Sequence, residues 1–166
     1  MRRVVVTGIG TINSTGHNVK DSFEAVVNGV CGIDTITLFD ASEFSVKIAG
    51  EVKDFDPTTV MDKKEVKKAD RFIQLGIKAA LEAMIDSGYV TAENKKVDAS
   101  IADRFGMISG SGIGGLSTIE RNSVVCENKG SRKVSPFFIP SSLANMLSGF
   151  ISIEHNLRGP SLSHVT

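Results

Sequence analysis

Two short apolar runs that lead straight into glycine-rich turns are the feature that most constrains the fold of this chain. Residues 4–6 are Val-Val-Val and precede the turn at 7–10, and the apolar run at 105–109 precedes the glycine-rich segment 110–115. A continuous apolar run without polar alternation predicts a strand buried on both faces. Because such strands belong to sheets covered by helices, the pattern predicts an α/β fold with a mostly parallel sheet.

Helical segments alternate with these predicted strands. The clearest helix is predicted over 70–87, where apolar residues recur at three- and four-residue steps and Gly88 can end it. In a first helix, Phe23, Val26 and Val27 share one face. The remaining predicted segments are helices over 18–28, over 117–126 and from Pro140, a short strand around 46–52, a polar surface loop over 90–103, and a turn and strand over 159–166.

Composition excludes several classes of function. The 19 basic and 19 acidic residues cancel, so no overall charge favours nucleic acid or an anionic membrane as a partner. The hydrophobic share of 41% excludes wholesale disorder. No apolar run approaches the length of a membrane span, and the N-terminus enters a predicted strand at once instead of a signal peptide. We therefore expect a cytoplasmic protein that binds neither nucleic acid nor membrane.

The histidines and cysteines do not form a recognisable reactive or metal-binding pattern. His17, His155 and His164 share no close spacing with one another or with a cysteine, so we expect no metal site. His17 is predicted in a loop, His155 at a helix end, and His164 as a buried, hydrogen-bonded residue of the last strand. Cys31 and Cys126 lie far apart, which favours reduced thiols, and neither has the cationic setting that activates a nucleophile.

The glycine-rich segment has two interpretations. Gly110, Gly112 and Gly115 satisfy the G-x-G-x-x-G pattern of dinucleotide-binding turns, between a predicted strand and a predicted helix. No acidic residue ends a strand about 20 residues further on, where such a site holds the ribose. The alternative is a tight turn in which glycine permits close backbone approach.

Two basic clusters interrupt an otherwise balanced surface. Lys64, Lys67 and Lys68 belong to the first, and Arg132 and Lys133 form the second. A charge run is commonly only a solvated face, but two local basic patches on a neutral protein can also steer an acidic partner.

Several of these segments in combination resemble one enzyme family. The start VVVTGIG, the segment GSGIGGL at 110–116, and the stretch from SPFFIP at 135–140 to RGPS at 158–161 are similar to the N-terminal part of a β-ketoacyl-[acyl-carrier-protein] synthase of the type II condensing enzymes. The segments 49–52 and 64–72 support this resemblance, which spans essentially the whole chain.

The resemblance implies a fold and a reaction. The family fold is thiolase-like, two similar halves in a five-layer αβαβα sandwich, and residues 1–166 would form most of the N-terminal half. The family reaction is a decarboxylative Claisen condensation, which lengthens an acyl chain and needs no cofactor. The family's nucleophilic cysteine would follow Thr166 by two residues, and its catalytic histidines and lysine would lie further on. We therefore expect no catalytic side chain within 1–166.

The resemblance also assigns roles to residues of this half. Gly112 and Ile113 match positions beside the acyl chain, and Phe138 matches the residue that enters the partner subunit's acyl pocket in a homodimer. The positions that would face the acidic acyl carrier protein are Lys64, Lys67, Lys68, Arg132 and Lys133. Three alternatives stay open: a non-catalytic paralogue of the chain-length-factor type, a dinucleotide-binding domain that uses residues 110–115, and an interaction fragment that docks carrier protein without chemistry.

Overall fold

The computed structural model describes residues 2–165, which form six α-helices and four short strands. The helices are α1 Val19–Val27, α2 Lys63–Val66, α3 Arg71–Asp86, α4 Leu116–Lys129, α5 Phe138–Ser142 and α6 Met146–His155. The strands are β1 Asp34–Thr35, β2 Ile48–Ala49, β3 Met107–Gly110 and β4 Ser161–His164. Short 3₁₀ turns cover Pro57–Thr59, Ala102–Arg104 and Ser131–Lys133.

Helix α3 is the centre of the buried core. Its residues Ile73, Ile77 and Leu81 recur at four-residue steps and are buried, and they pack with Ile151 of α6. Asp70 caps the start of α3, and the predicted stop at Gly88 follows its end with φ of 77°. The predicted helix over 18–28 is also confirmed, since the Asn18 side chain accepts a hydrogen bond from the Asp21 amide at 2.8 Å. Local capping signals therefore located both helices.

The predicted strand at 4–6 is not formed. Val4, Val5 and Val6 are 97%, 71% and 82% exposed, and no strand pairs with them among residues 2–165. The chain that follows is held along α3 instead, because the Thr11 amide donates to Glu82 Oε2 at 3.1 Å. A strand needs a hydrogen-bonding neighbour, and an apolar run cannot supply one by itself.

Two small sheets are present in the described part of the chain. β1 and β2 pair antiparallel, and β3 and β4 pair parallel with Gly110 opposite His164. The parallel pair confirms the predicted crossover from β3 through the helices to β4. Three hydroxyls join the β3–β4 sheet to α6, since Ser148 Oγ lies 2.6 Å from Ser109 Oγ and 2.7 Å from Ser163 Oγ.

Two other local predictions were wrong. The loop after α3 is not wholly superficial, because Val90, Val97 and Ala102 are buried and anchor it. The single helix predicted from Pro140 is two helices, since α5 ends at Ser142, before the extended residue Leu143, and α6 begins at Met146. The face of α1 that carries Phe23 is exposed. Helical periodicity identified this apolar face correctly, but the described residues do not cover it.

Candidate functional site

The glycine-rich turn lies between β3 and α4 and packs against the end of α5. Gly114 has φ of 81°, and a Cβ there would lie 2.5 Å from the Ser142 carbonyl oxygen. A Cβ on Gly115 would lie 2.5 Å from the Ser141 carbonyl oxygen. These two positions therefore require glycine, whereas a Cβ on Gly112 would meet nothing within 4 Å.

Several backbone N–H groups of this turn and of the start of α4 are already engaged. The Gly114 amide donates to Ser111 Oγ at 2.9 Å, and the Gly115 amide donates to the Ser142 carbonyl at 2.9 Å. The Thr118 amide, in the first turn of α4, donates to Asp70 Oδ2 at 2.8 Å. Since a dinucleotide turn holds phosphate with these same groups, the geometry argues against the dinucleotide-binding alternative.

Asp70 joins the starts of two helices. It is only 7% exposed, and its two carboxylate oxygens accept from the Phe72 amide of α3 and the Thr118 amide of α4. Helix α4 has Gly115 at its N-cap position and no side-chain cap there, so this distant carboxylate replaces one. The bond to Thr118 spans 48 residues, so it leaves no local signal in the sequence.

The three predicted acyl-pocket residues lie on neighbouring elements. Gly112 and Ile113 are in the glycine-rich turn, and Phe138 begins α5, whose far end contacts that turn. The Ile113 side chain is 64% exposed, and Phe138 is half-buried. Neither the Phe137 ring nor the Phe138 ring is buried, and Phe137 is 41% exposed.

The first basic cluster occupies α2 and the residues after it. Lys64 and Lys67 are exposed, and Lys68 is half-buried with its ammonium 2.6 Å from Glu65 Oε1. The Lys68 ammonium also lies 5.6 Å from the centre of the Phe137 ring. Lys64 and Lys67 form no ion pair with other described residues, so their charges face solvent.

The second basic cluster, Arg132 and Lys133, is exposed on the 3₁₀ turn after α4. Lys133 and Phe137 are only four positions apart in sequence, which limits the distance between their Cα atoms to about 14 Å. The Ser141 hydroxyl donates to the Lys68 carbonyl at 2.6 Å and fixes this segment to the first cluster. These contacts place the second cluster near the first, and, after the role that the sequence resemblance implies, we call the two clusters together the docking surface.

The remaining candidate residues are separate from this surface. His155, not His164, is the buried histidine: it is fully buried with Nδ1 2.7 Å from the Lys95 carbonyl oxygen, whereas His164 is exposed. His17 lies in a loop, and Cys31 and Cys126 are exposed free thiols. Within residues 2–165 no group of three or more His, Cys, Asp or Glu side chains has a metal-binding arrangement. No helix in the same range is long and apolar enough to cross a membrane.

This fold agrees with the family comparison. The model of the β-ketoacyl synthase N-terminal domain matches residues 1–166, and the chain therefore belongs to the β-ketoacyl synthase family. The α/β, thiolase-like fold predicted from the sequence is confirmed.

Particular relatives support the same assignment. The chain is 44% identical over 165 residues to 3-oxoacyl-[acyl-carrier-protein] synthase 2 of Coxiella burnetii, covering 99% of this chain and 38% of that protein. It is 48% identical over 163 residues to the protein of the same name from Vibrio harveyi, with coverage of 98% and 38%. The chain thus spans about two fifths of the length of these relatives.

Solved ketosynthase structures have the same fold. The ishigamide ketosynthase/chain length factor matches with a TM-score of 0.80 at 28% identity, over 99% of this chain and 40% of that chain. A type II polyketide synthase acyl-carrier protein in complex with its ketosynthase matches with a TM-score of 0.75, over 97% of this chain and 41% of that chain. At 23% identity, the second match bears on the fold alone.

Proposed function

We propose that this chain is the N-terminal half-domain of a β-ketoacyl-[acyl-carrier-protein] synthase that elongates fatty acyl chains. The observation that carries the proposal is the 44–48% identity to synthases of that name over nearly the whole chain. In the proposed reaction an enzyme thiolate takes the acyl group, malonyl-carrier protein loses carbon dioxide, and the resulting carbanion attacks the acyl thioester. The new carbon–carbon bond forms as the thiolate leaves.

In this proposal residues 1–166 bind substrate and partner but supply no nucleophile. Cys31 and Cys126 are exposed and lie apart from the glycine-rich turn, so neither can replace the thiolate of the family. We expect the 166-residue chain alone to release no carbon dioxide from malonyl-carrier protein and to elongate no acyl chain. Either activity from the purified chain would contradict the assignment of the chemistry to residues beyond it.

The docking surface is the part of the proposal that the described residues support in detail. Lys64, Lys67, Arg132 and Lys133 are exposed cations, and the Lys68 ammonium is partly exposed beside them. An acidic carrier protein would meet these charges at the rim of the interface, where charge acts mainly on the association rate. Such attraction is screened by salt, with a Debye length of about 8 Å at physiological ionic strength.

Charge reversal tests this role. In the full-length synthase, Lys67→Glu with Lys68→Glu should raise the KM for acyl-carrier protein and spare a small acyl thioester that needs no docking. Lys20→Glu is the matched control, because Lys20 is exposed beside the last turns of α3, whereas the docking surface lies at the start of that helix.

The outcomes separate docking from folding. A KM effect that shrinks as salt rises supports the proposal. Equal loss of both reactions would indicate a folding defect and contradict a docking role, and loss of neither would show that the cluster is only a solvated face.

In this proposal Gly112 and Ile113 line the acyl tunnel, and Phe138 enters the acyl pocket of the partner subunit in a homodimer. The Ile113 side chain is exposed, and the next residues, Gly114 and Gly115, are packed against α5. The backbone of the turn therefore cannot move to make room for a larger side chain at position 113. Ile113→Phe in the full-length synthase should block long acyl chains before short ones, because overpacking costs about 1–3 kcal/mol where a site cannot relax. Unchanged elongation of long chains would refute the assignment.

A chain-length-factor role is the second candidate. The observation that favours it is the 28% identity to a chain of the ishigamide ketosynthase/chain length factor. The two candidates differ in one measurement: a synthase transfers an acyl group to its own thiolate, and a non-catalytic paralogue acquires no acyl group. Mass spectrometry of the full-length protein after incubation with acyl-carrier protein distinguishes them.

A further inference from the structure

A large open groove adjoins the docking surface. It encloses about 780 Å³ between the β1–β2 region and the starts of α3 and α4. Lys67 lines it and also belongs to the docking surface, so the two features are continuous. The groove brings two further cations, Arg71 and Arg121, to the same place.

The two carboxylates of the groove are already engaged within the chain. Glu51 accepts hydrogen bonds from the Thr37 hydroxyl at 2.7 Å and from the Thr37 and Leu38 amides, and these bonds hold the pKa of Glu51 below its usual value. Asp70 accepts from the amides at the starts of α3 and α4. The groove therefore presents cations to a partner, while its anions serve the fold.

The two arginines have different roles. The Arg71 guanidinium donates to the Val52 and Phe55 carbonyls at 3.3 Å and lies 4.9 Å from the centre of the Phe55 ring, so it holds the wall of the groove. The Arg121 side chain is exposed, and no carboxylate of the described chain lies within 4 Å of its guanidinium. Arg121 is therefore the cation of the two that is available to a partner.

The other wall of the groove is apolar. Ile36, Leu38 and Phe39 line it, with Leu38 82% and Phe39 54% exposed. Exposed apolar side chains opposite cations complement an amphipathic acidic segment, which can place carboxylates on one wall and apolar residues on the other. Because a small ligand is held in a concave site that buries most of its surface, this degree of exposure favours a protein segment.

We propose that the carrier-protein docking surface extends from Lys67 into this groove, with Arg121 as a further docking cation and Leu38 as an apolar contact. The proposal rests on the proposed function, because it takes the acidic carrier protein as the partner. It adds a contact on α4 and an apolar contact on the β1–β2 region to the basic clusters.

Single substitutions in the full-length synthase test the extension. Arg121→Glu should raise the KM for acyl-carrier protein about threefold to tenfold at low salt, spare a small acyl thioester, and lose its effect as salt rises. Leu38→Ser should raise the same KM by an amount that salt does not reduce, because the lost contact is apolar. Lys20→Glu serves again as the matched control, and unchanged thermal unfolding establishes that each variant folds.

The outcomes distinguish this inference from the function on which it rests. If Lys67→Glu with Lys68→Glu raises the KM but Arg121→Glu and Leu38→Ser do not, the extension is overturned and the docking surface remains. If none of these variants changes the KM, both proposals fail. If Arg121→Glu slows the small thioester equally, Arg121 does not act in docking and the extension is overturned.

Discussion

Asp70 is the residue whose replacement best tests how this part of the molecule is assembled. Its buried carboxylate caps α3 through the Phe72 amide at 3.4 Å and α4 through the Thr118 amide at 2.8 Å. Asp70→Ala removes both bonds. The long bond to Phe72 is a weak cap, worth about 0.5 kcal/mol at the low end of measured caps. The Thr118 amide is buried and would be left without a partner, which costs about 1–3 kcal/mol.

The expected total is a loss of about 1.5–3.5 kcal/mol in the free energy of unfolding. Denaturant titration of the full-length synthase measures it, and hydrogen exchange at the Thr118 amide should accelerate in the variant. Asp62→Ala is the matched control, since Asp62 stands at the N-cap of α2 without a side-chain capping bond and should change stability by less than about 0.5 kcal/mol. Equal effects of the two substitutions, or unchanged exchange at Thr118, would refute the role given to Asp70.

Three further predictions concern single contacts. Gly115→Ala should destabilise by about 1–3 kcal/mol, because its Cβ would meet a carbonyl oxygen at 2.5 Å, whereas Gly112→Ala should be nearly neutral in the same denaturant titration. Glu51→Gln should make the free energy of unfolding less dependent on pH on the acid side. The folded pKa of Glu51 is lowered by its bonds to Thr37. Its contribution to stability is therefore present above about pH 4.5 and is lost as pH falls through the folded pKa. Ser148→Ala should lower the free energy of unfolding, measured by thermal unfolding, by only about 1 kcal/mol, since Ser109 and Ser163 keep their mutual contact at 2.8 Å.

The helices were predictable because their signals are local. Two helices have an N-terminal cap and a glycine after their end. Asn18 and Asp70 cap α1 and α3, and each cap and glycine stands within a few residues of the backbone groups that it affects. The division at 143–145 into α5 and α6 was not predictable in this way. It accompanies the contact between the glycine-rich turn and the end of α5, which joins residues far apart in sequence.

Strand prediction succeeded only where a predicted segment has a pairing neighbour. The run at 105–109 and the segment after 159 both became strands, because each is the other's parallel neighbour. The equally apolar run at 4–6 has no neighbour among residues 2–165 and stays unpaired. Composition shows that a segment suits a sheet, but pairing decides whether one forms.

The residues of the candidate site also fall into those that the sequence indicates and those that only the fold brings together. The basic residues of the docking surface were evident as charge clusters, and the structure adds that they adjoin. Arg121 gave no signal, since a single cation in a mixed helix is ordinary. It lines the same groove as Lys67 because of the fold of α3 and α4, whose starts Asp70 joins.

The glycine-rich turn shows why a motif must be judged by where its N–H groups point. A helix start that follows a G-x-G-x-x-G turn attracts an anion, because its first amides lack partners within the helix. Here the anion is the carboxylate of Asp70, a residue of the chain itself, bound to the Thr118 amide. The feature that could have held a phosphate is used to fix α4 against α3. The same bond joins α4 to α3, and Arg121 of α4 lines the same groove as Lys67, so a helix start that could have bound a ligand instead helps to position the proposed docking cations.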